Sequence, residues 1–199
     1  MLLAFLVTTS LLAAGPPRVG PHDARRLKPG VFLYAAPEIM GPSFAESVVL
    51  LVRHEPEGSL GLIVNRPTKI PLREALRELG ELRDLEVLLY FGGPVQPDAV
   101  LGLVRSAQRI DGATRVLPDV YFSAGLGPLK AAARQPEAAS RLRVYAGYAG
   151  WGPGQLADEL RQGAWVVAPA DARSIFTADP SSLWPRVYDL LRRIEVRQR

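Results

Sequence analysis

The chemistry open to this chain is bounded first by what it lacks: in 199 residues there are two histidines, His22 and His54, and no cysteine. A thiolate metal site, a cysteine nucleophile and a disulfide are therefore excluded, and a histidine-based zinc site is short of ligands. His54 ends an apolar run beside Glu57-Gly58-Ser59, a link with the length and the glycine of a hairpin. An imidazole in that place suits either general-base work or a hydrogen bond to a loop carbonyl. Asn65-Arg66-Pro67 closes the next run. Asparagine there suits a turn or a left-handed position, and Arg-Pro ends a strand in a fixed direction. Gly92-Gly93-Pro94 lets two backbones approach closely, or frames a pocket.

The densest glycine cluster is Gly150-Trp151-Gly152-Pro153-Gly154-Gln155. It is not a dinucleotide fingerprint, because Gln155 stands where the third glycine belongs. A P-loop pattern and the nucleophile elbow G-x-S-x-G are absent from the sequence as well. A helix opening near Gly154 would leave backbone N–H groups for a small anion. The competing reading is a tight positive-φ turn with Trp151 in the core. Asp158 and Glu159, in the first turns of that helix, already complement its dipole and favour packing. The candidate binding residues are thus His54, Asn65, Arg66, Gly92, Gly93, Gly150, Trp151, Gly152, Gly154 and Gln155, with no catalytic residue, metal ligand or cofactor assigned.

The elements that must position these residues are short. Apolar runs at 31–35, 47–53, 60–65, 85–91, 99–105, 115–123, 142–148 and 164–168 read as strands, with Pro118 marking an edge or a break in the sixth. Leu72, Ala75, Leu76 and Leu79 fall at helical spacing between Pro71 and Gly80. A second helix is expected from Pro128 to before Pro136, and a third from Gly154 to Gly163. The last carries the stripe Leu183, Trp184, Val187, Leu190, Leu191 and Ile194, with Asp179 as cap and Pro180 at its first position. The order does not alternate strand and helix, so the expected fold is α+β. A mixed, largely antiparallel sheet, curled into a distorted β-barrel and flanked by helices, fits it best.

Composition places the chain among ordinary folded globules, at 48% hydrophobic and 22% charged residues. The net charge of +4 suggests an anionic partner until it is located. Residues 18–28 and 186–199 carry +3 each, whereas 30–185 holds 15 basic and 17 acidic side chains. The body is slightly acidic, which argues against a nucleic-acid groove across it and leaves only the Arg-rich C-terminus for that role. Residues 1–15, MLLAFLVTTSLLAAG, are too short to span a bilayer but have the apolar stretch and small residues of a signal peptide. Pro16, Pro17, Gly20, Pro21 and Pro29 make residues 16–29 a flexible linker, and residues 30–199 form one domain.

Taken together, the segments from His54 to Pro67, Tyr90-Phe91-Gly92-Gly93-Pro94-Val95 and Gly147-Tyr148-Ala149-Gly150-Trp151-Gly152-Pro153-Gly154-Gln155-Leu156 resemble the YqgE/AlgH family. The opening Leu27-Lys28-Pro29-Gly30-Val31-Phe32-Leu33 and the later Trp165, Phe176 and Trp184 continue the resemblance, which covers residues 27 to about 192. The resemblance implies a sheet or distorted barrel wrapped by helices, and a cytoplasmic protein where the N-terminus suggests export to the periplasm. It implies no activity: the family is largely uncharacterised, and one branch is labelled a transcriptional regulator, which the acidic body does not support. Many relatives carry a histidine in the strand after Gly-Gly-Pro-Val, where this chain has Gly102. The expected function is a non-catalytic binding or regulatory module for a protein or a small anion. The alternative is an enzyme or anion site where His54, Asn65 and Arg66 meet the 150–155 turn. Oligomeric state is left open.

Overall fold

The run Val48-Val49-Leu50-Leu51-Val52 is buried throughout, none of it more than 2% exposed. A strand shows alternate side chains to opposite faces, so a continuous apolar run requires a core on each side. The computed structural model, which describes residues 23–37, 43–76, 80–82 and 85–187, shows both cores. Val48, Leu50 and Val52 join Phe32, Tyr34, Leu62 and Tyr145 on one face. Val49 and Leu51 join Leu33, Ile63, Trp151 and Trp165 on the other. A third cluster, around Leu72, Leu129 and Val144, fills the space beneath the helices on the far half of the sheet.

The strands are β1 (Val31–Ala35), β2 (Val48–Glu55), β3 (Gly58–Ile63), β4 (Pro67–Pro71), β5 (Leu88–Phe91), β6 (Val95–Arg105), β7 (Thr114–Leu117), β8 (Val120–Ser123), β9 (Leu142–Trp151) and β10 (Trp165–Pro169). They lie in the order β10-β1-β2-β3-β9-β6-β8-β7, and β4 and β5 branch from β9. The β5–β9 pairing is parallel, while β1 with β2, β2 with β3 and β6 with β9 are antiparallel. The sheet forks along β9. Tyr145 and Ala146 pair with β5 and β6, whereas Ala149, Gly150 and Trp151 pair with β3.

The expectation of an α+β fold with a largely antiparallel sheet holds, but the sheet does not close into a barrel. Its terminal strands β10 and β7 are not paired with each other. The curl does bring Gly30, at the start of β1, close to β7: a Cβ there would lie 2.7 Å from the Val116 carbonyl oxygen. Gly30 N–H donates instead to Leu51 O at 2.9 Å, so the approach adds no ladder across the gap.

The helices are α1 (Leu72–Ala75), α2 (Leu126–Ala133), α3 (Ala138–Arg141), α4 (Gln155–Arg161) and α5 (Ala172–Ile175). A 3-10 turn, Pro180–Ser182, leads into helical residues 183–187. Asp179 stands at the N-cap and Pro180 at the first position as expected, but the Asp179 carboxylate accepts from the Ser181 hydroxyl rather than from a helix N–H. Trp184 anchors this segment by donating its indole N–H to Ala35 O at 2.8 Å. Residues 77–79 and 188–199, where the first and last helices were expected to continue, lie outside the described residues, as does the 1–15 segment.

Two further points concern local geometry. The 115–123 run breaks where Pro118 marked an edge or a break: Pro118-Asp119 turns the chain between β7 and β8, which pair as a hairpin. Part of the expected linker is folded: Asp23 caps a 3-10 turn at Ala24–Arg26, and Leu27, 7% exposed, packs in the core with Val31. The body therefore begins before Gly30.

Candidate functional site

The β2–β3 hairpin crosses the end of β9, and only glycine fits at the crossing. Gly58 has φ +147°, and a Cβ there would stand 2.5 Å from the Trp151 carbonyl oxygen. The cross-strand partners His54 and Ser59 face each other, with His54 Nδ1 2.8 Å from Ser59 Oγ. Beside this pair opens a cleft of about 300 Å³, with Arg53, Glu55 and Glu57 at its rim and Tyr148, Gly150 and Trp151 along β9.

Trp151 is fixed from behind. Its indole N–H donates to Glu159 Oε2 at 2.9 Å, and Gln155 Nε2 donates to Glu159 Oε1 at 2.8 Å. The Trp151 ring lies at 79° to that of Trp165, 5.9 Å between centroids, and stacks at 6.4 Å on Phe44. Gln155 also turns its Oε1 to the Gly152 N–H at 3.1 Å. The turn thus satisfies one of its own donors, and Gly154 takes the positive φ, +74°, that the turn requires. The helix that follows is seven residues long. These contacts support the packing reading of the turn over an external anion.

Asn65 and Arg66 serve a different place. Asn65 Oδ1 accepts from Val48 N–H at 2.8 Å and its Nδ2 donates to Glu46 O at 2.9 Å. Arg66 donates to Ser43 O at 2.7 Å and to Ala45 O. Burial pushes the Arg66 guanidinium pKa down. Together the two residues fasten the 43–46 loop to the exit of β3. The left-handed residue here is Glu46, φ 55°, rather than Asn65. Ser59 lies near the start of β3 and Asn65 in the turn beyond its end at Ile63, and the four positions from Ser59 to Ile63 alone span about 13 Å at strand rise. The structure therefore groups His54 with the 150–151 end of β9 and sets Asn65 and Arg66 at the opposite end.

Gly92 and Gly93 lie between these ends. A Cβ on Gly92 would be 2.2 Å from Gly147 O, and one on Gly93 would be 2.2 Å from the Tyr148 carbonyl carbon. They bring the start of β6 against β9, the backbone approach expected of them. Gly102 differs in cause: a Cβ there would meet only the Leu129 side chain, Cδ2 at 2.3 Å, where α2 packs on β6.

Two residues central to this geometry were not legible as such. Glu159 reads in sequence as a first-turn acid, and its service to two indoles appears only in three dimensions. Arg143 reads as one charge in an apolar strand. That is a signal, since an arginine 9% exposed needs partners.

The architecture, a large forked and mostly antiparallel sheet carrying short helices with a glycine-framed cleft at one end, defines an α+β protein of two-sided sheet type. A family model described as AlgH-like matches residues 32–194. The chain belongs to that family. A UPF0301 protein of Streptomyces avermitilis is 39% identical over 164 residues, 79% of this chain and 83% of the relative. One of Chlorobaculum tepidum is 35% identical over 161 residues, 80% and 84% of the two chains. Among solved structures, the AlgH protein of Pseudomonas aeruginosa matches with a TM-score of 0.63 at 29% identity, covering 92% of this chain and 93% of its own. A Corynebacterium diphtheriae protein matches at 0.66 and 30%, covering 80% and 84%.

Proposed function

We propose that the protein acts by binding rather than by catalysis, and that the cleft beside the β2–β3 hairpin receives a segment of a protein partner. The observation that carries this reading is the union of a mixed-charge rim, Arg53, Glu55 and Glu57, with the Tyr148 ring, which lies over Gly150, where an added Cβ would stand 3.2 Å from Tyr148 Cε2. Aromatic side chains with one polar edge and flanking charges of both signs are the usual furniture of protein recognition. The frame is stiff, because Gly58 and Gly93 seat backbone on backbone and Glu159 holds Trp151. A rigid cleft loses little entropy when it is occupied.

The experiment is affinity capture from the native host with the unaltered chain and with a rim-reversed variant, Arg53→Glu with Glu57→Arg. A partner held by the first and released by the second supports the reading. Equal capture by both, or none by either, overturns it.

One observation favours the enzymatic alternative: the 2.8 Å His54–Ser59 contact has the geometry of a base beside a hydroxyl nucleophile. Ser59 is 8% exposed, which limits access of a substrate to its hydroxyl. Covalent labelling of Ser59 by a fluorophosphonate, abolished by His54→Gln, would establish that alternative over binding.

A further inference from the structure

On another part of the molecule, three arginines meet around one opening. Arg105 at the end of β6, Arg141 at the end of α3 and Arg173 in α5 line a cleft of about 640 Å³ together with Asp119, Glu137 and Phe176. Arg105 Nε donates to Asp119 at 2.9 Å, and Arg141 Nη2 donates to Glu137 at 3.0 Å. Each bond engages one nitrogen of a planar group that carries five N–H donors. Arg173 forms no ion pair among the described residues.

Behind the wall lies a fourth arginine. Arg143 donates to Ala139 O at 2.9 Å and Leu142 O at 3.1 Å, and reaches Phe176 O at 3.2 Å and Thr177 O at 3.4 Å. Phe176 and Thr177 themselves line the cleft, so this buried guanidinium holds its wall. The Tyr90 and Phe176 rings flank it at 5.8 and 5.5 Å. No carboxylate faces Arg143 among the described residues, and its Nε is buried without a partner. Four carbonyl dipoles offset part of the charge, and the remainder projects through low-dielectric protein with little screening. Four arginines against two carboxylates make this a positive site in a body, residues 30–185, where acids outnumber bases by two.

We infer that this cleft binds a small molecule carrying a multiply charged oxyanion, a phosphate ester or a polycarboxylate. Guanidinium forks match oxyanions in bidentate geometry and stay charged at every physiological pH. The volume exceeds that of a bare ion and lies within the usual range of about 300–1,000 Å³ for organic ligands. Phe176 supplies an apolar surface for the uncharged part. The site shares no residue with the hairpin cleft, so the two readings stand or fall separately.

The test is nuclear magnetic resonance titration of the full chain, observing arginine Nε–H signals, with pyrophosphate and citrate as separate probes and sodium chloride matched for ionic strength. Saturable shifts at Arg105, Arg141 and Arg173 are expected for at least one probe. The apparent affinity should fall tenfold or more in Arg141→Gln and in Arg173→Gln, both exposed positions, and hold in Arg53→Gln. Saturation by pyrophosphate alone assigns a phosphate ligand, and saturation by citrate alone a polycarboxylate. Shifts that stay linear, that chloride reproduces, or that survive Arg141→Gln with Arg173→Gln would overturn the inference.

Discussion

Trp151 and Trp165 donate their indole N–H groups to the same carboxylate oxygen, Oε2 of Glu159, at 2.9 and 2.8 Å. One acid on α4 therefore joins the end of β9 to the start of β10, two strands that are not neighbours in the sheet. Glu159→Ala leaves both donors without that acceptor, at a cost of roughly 2–4 kcal/mol. Glu159→Gln keeps one carbonyl oxygen for the indoles and should cost about half as much. Urea unfolding should show lower midpoints with an unchanged slope, and tryptophan emission should shift in the native state of the Ala variant.

The glycines of the two clusters differ in why they are there, and alanine separates the reasons. Gly93 has φ +150° and backbone atoms of Tyr148 and Ala149 within 2.4 Å of an added Cβ. Gly93→Ala should keep the chain from reaching its native sheet, read as loss of soluble protein or of dispersed amide resonances. Gly154 has φ +74° with nothing within 4 Å of an added Cβ. Gly154→Ala should fold, losing about 1–2 kcal/mol for the left-handed backbone alone.

Burial raises the phenol pKa of Tyr145, and burial followed by the charge of Asp171 raises that of Tyr34. A pKa above the unfolded value means that the native state keeps protons which the unfolded chain releases. The stabilisation from this source is complete below about pH 10, the ordinary tyrosine value, and declines as pH rises further. Thermal midpoints should fall steeply above that pH. Absorbance titration should show native Tyr34 and Tyr145 ionising only with unfolding, and Tyr145→Phe should soften the alkaline loss.

We propose that residues 1–15 direct export and are removed. Fractionation of the native host with intact-mass measurement should find a chain shorter by those residues outside the cytoplasm. A full-length chain in the cytoplasm would overturn this and leave the binding reading untouched.

Much of the fold was legible because its signals are local. The runs that became β1, β2, β9 and the 99–105 part of β6 are mostly apolar, and Gly154 and Gly163 bound α4 as turn chemistry predicts. β4 was missed because prolines at both ends read as a break. It survives as a strand because, among the described strands, it pairs with β5 alone, leaving its other edge without a ladder to satisfy. The four-residue helices α3 and α5 are too short for periodicity to register.

Sequence alone determined the membership of the chain, its α+β class, the positions of its turns and the chemistry it lacks, since all of these depend on residue type and spacing. Tertiary structure decided that the sheet stays open, because hydrogen-bond pairing between distant strands is not written in either strand. It also decided that His54 parts from Asn65 and Arg66, because a strand places its two ends far apart however close they are in the chain. Convergence of Arg105, Arg141, Arg143 and Arg173 belongs to the same class of fact. Those residues come from β6, α3, β9 and α5, and only the packing of those elements brings their charge to one place.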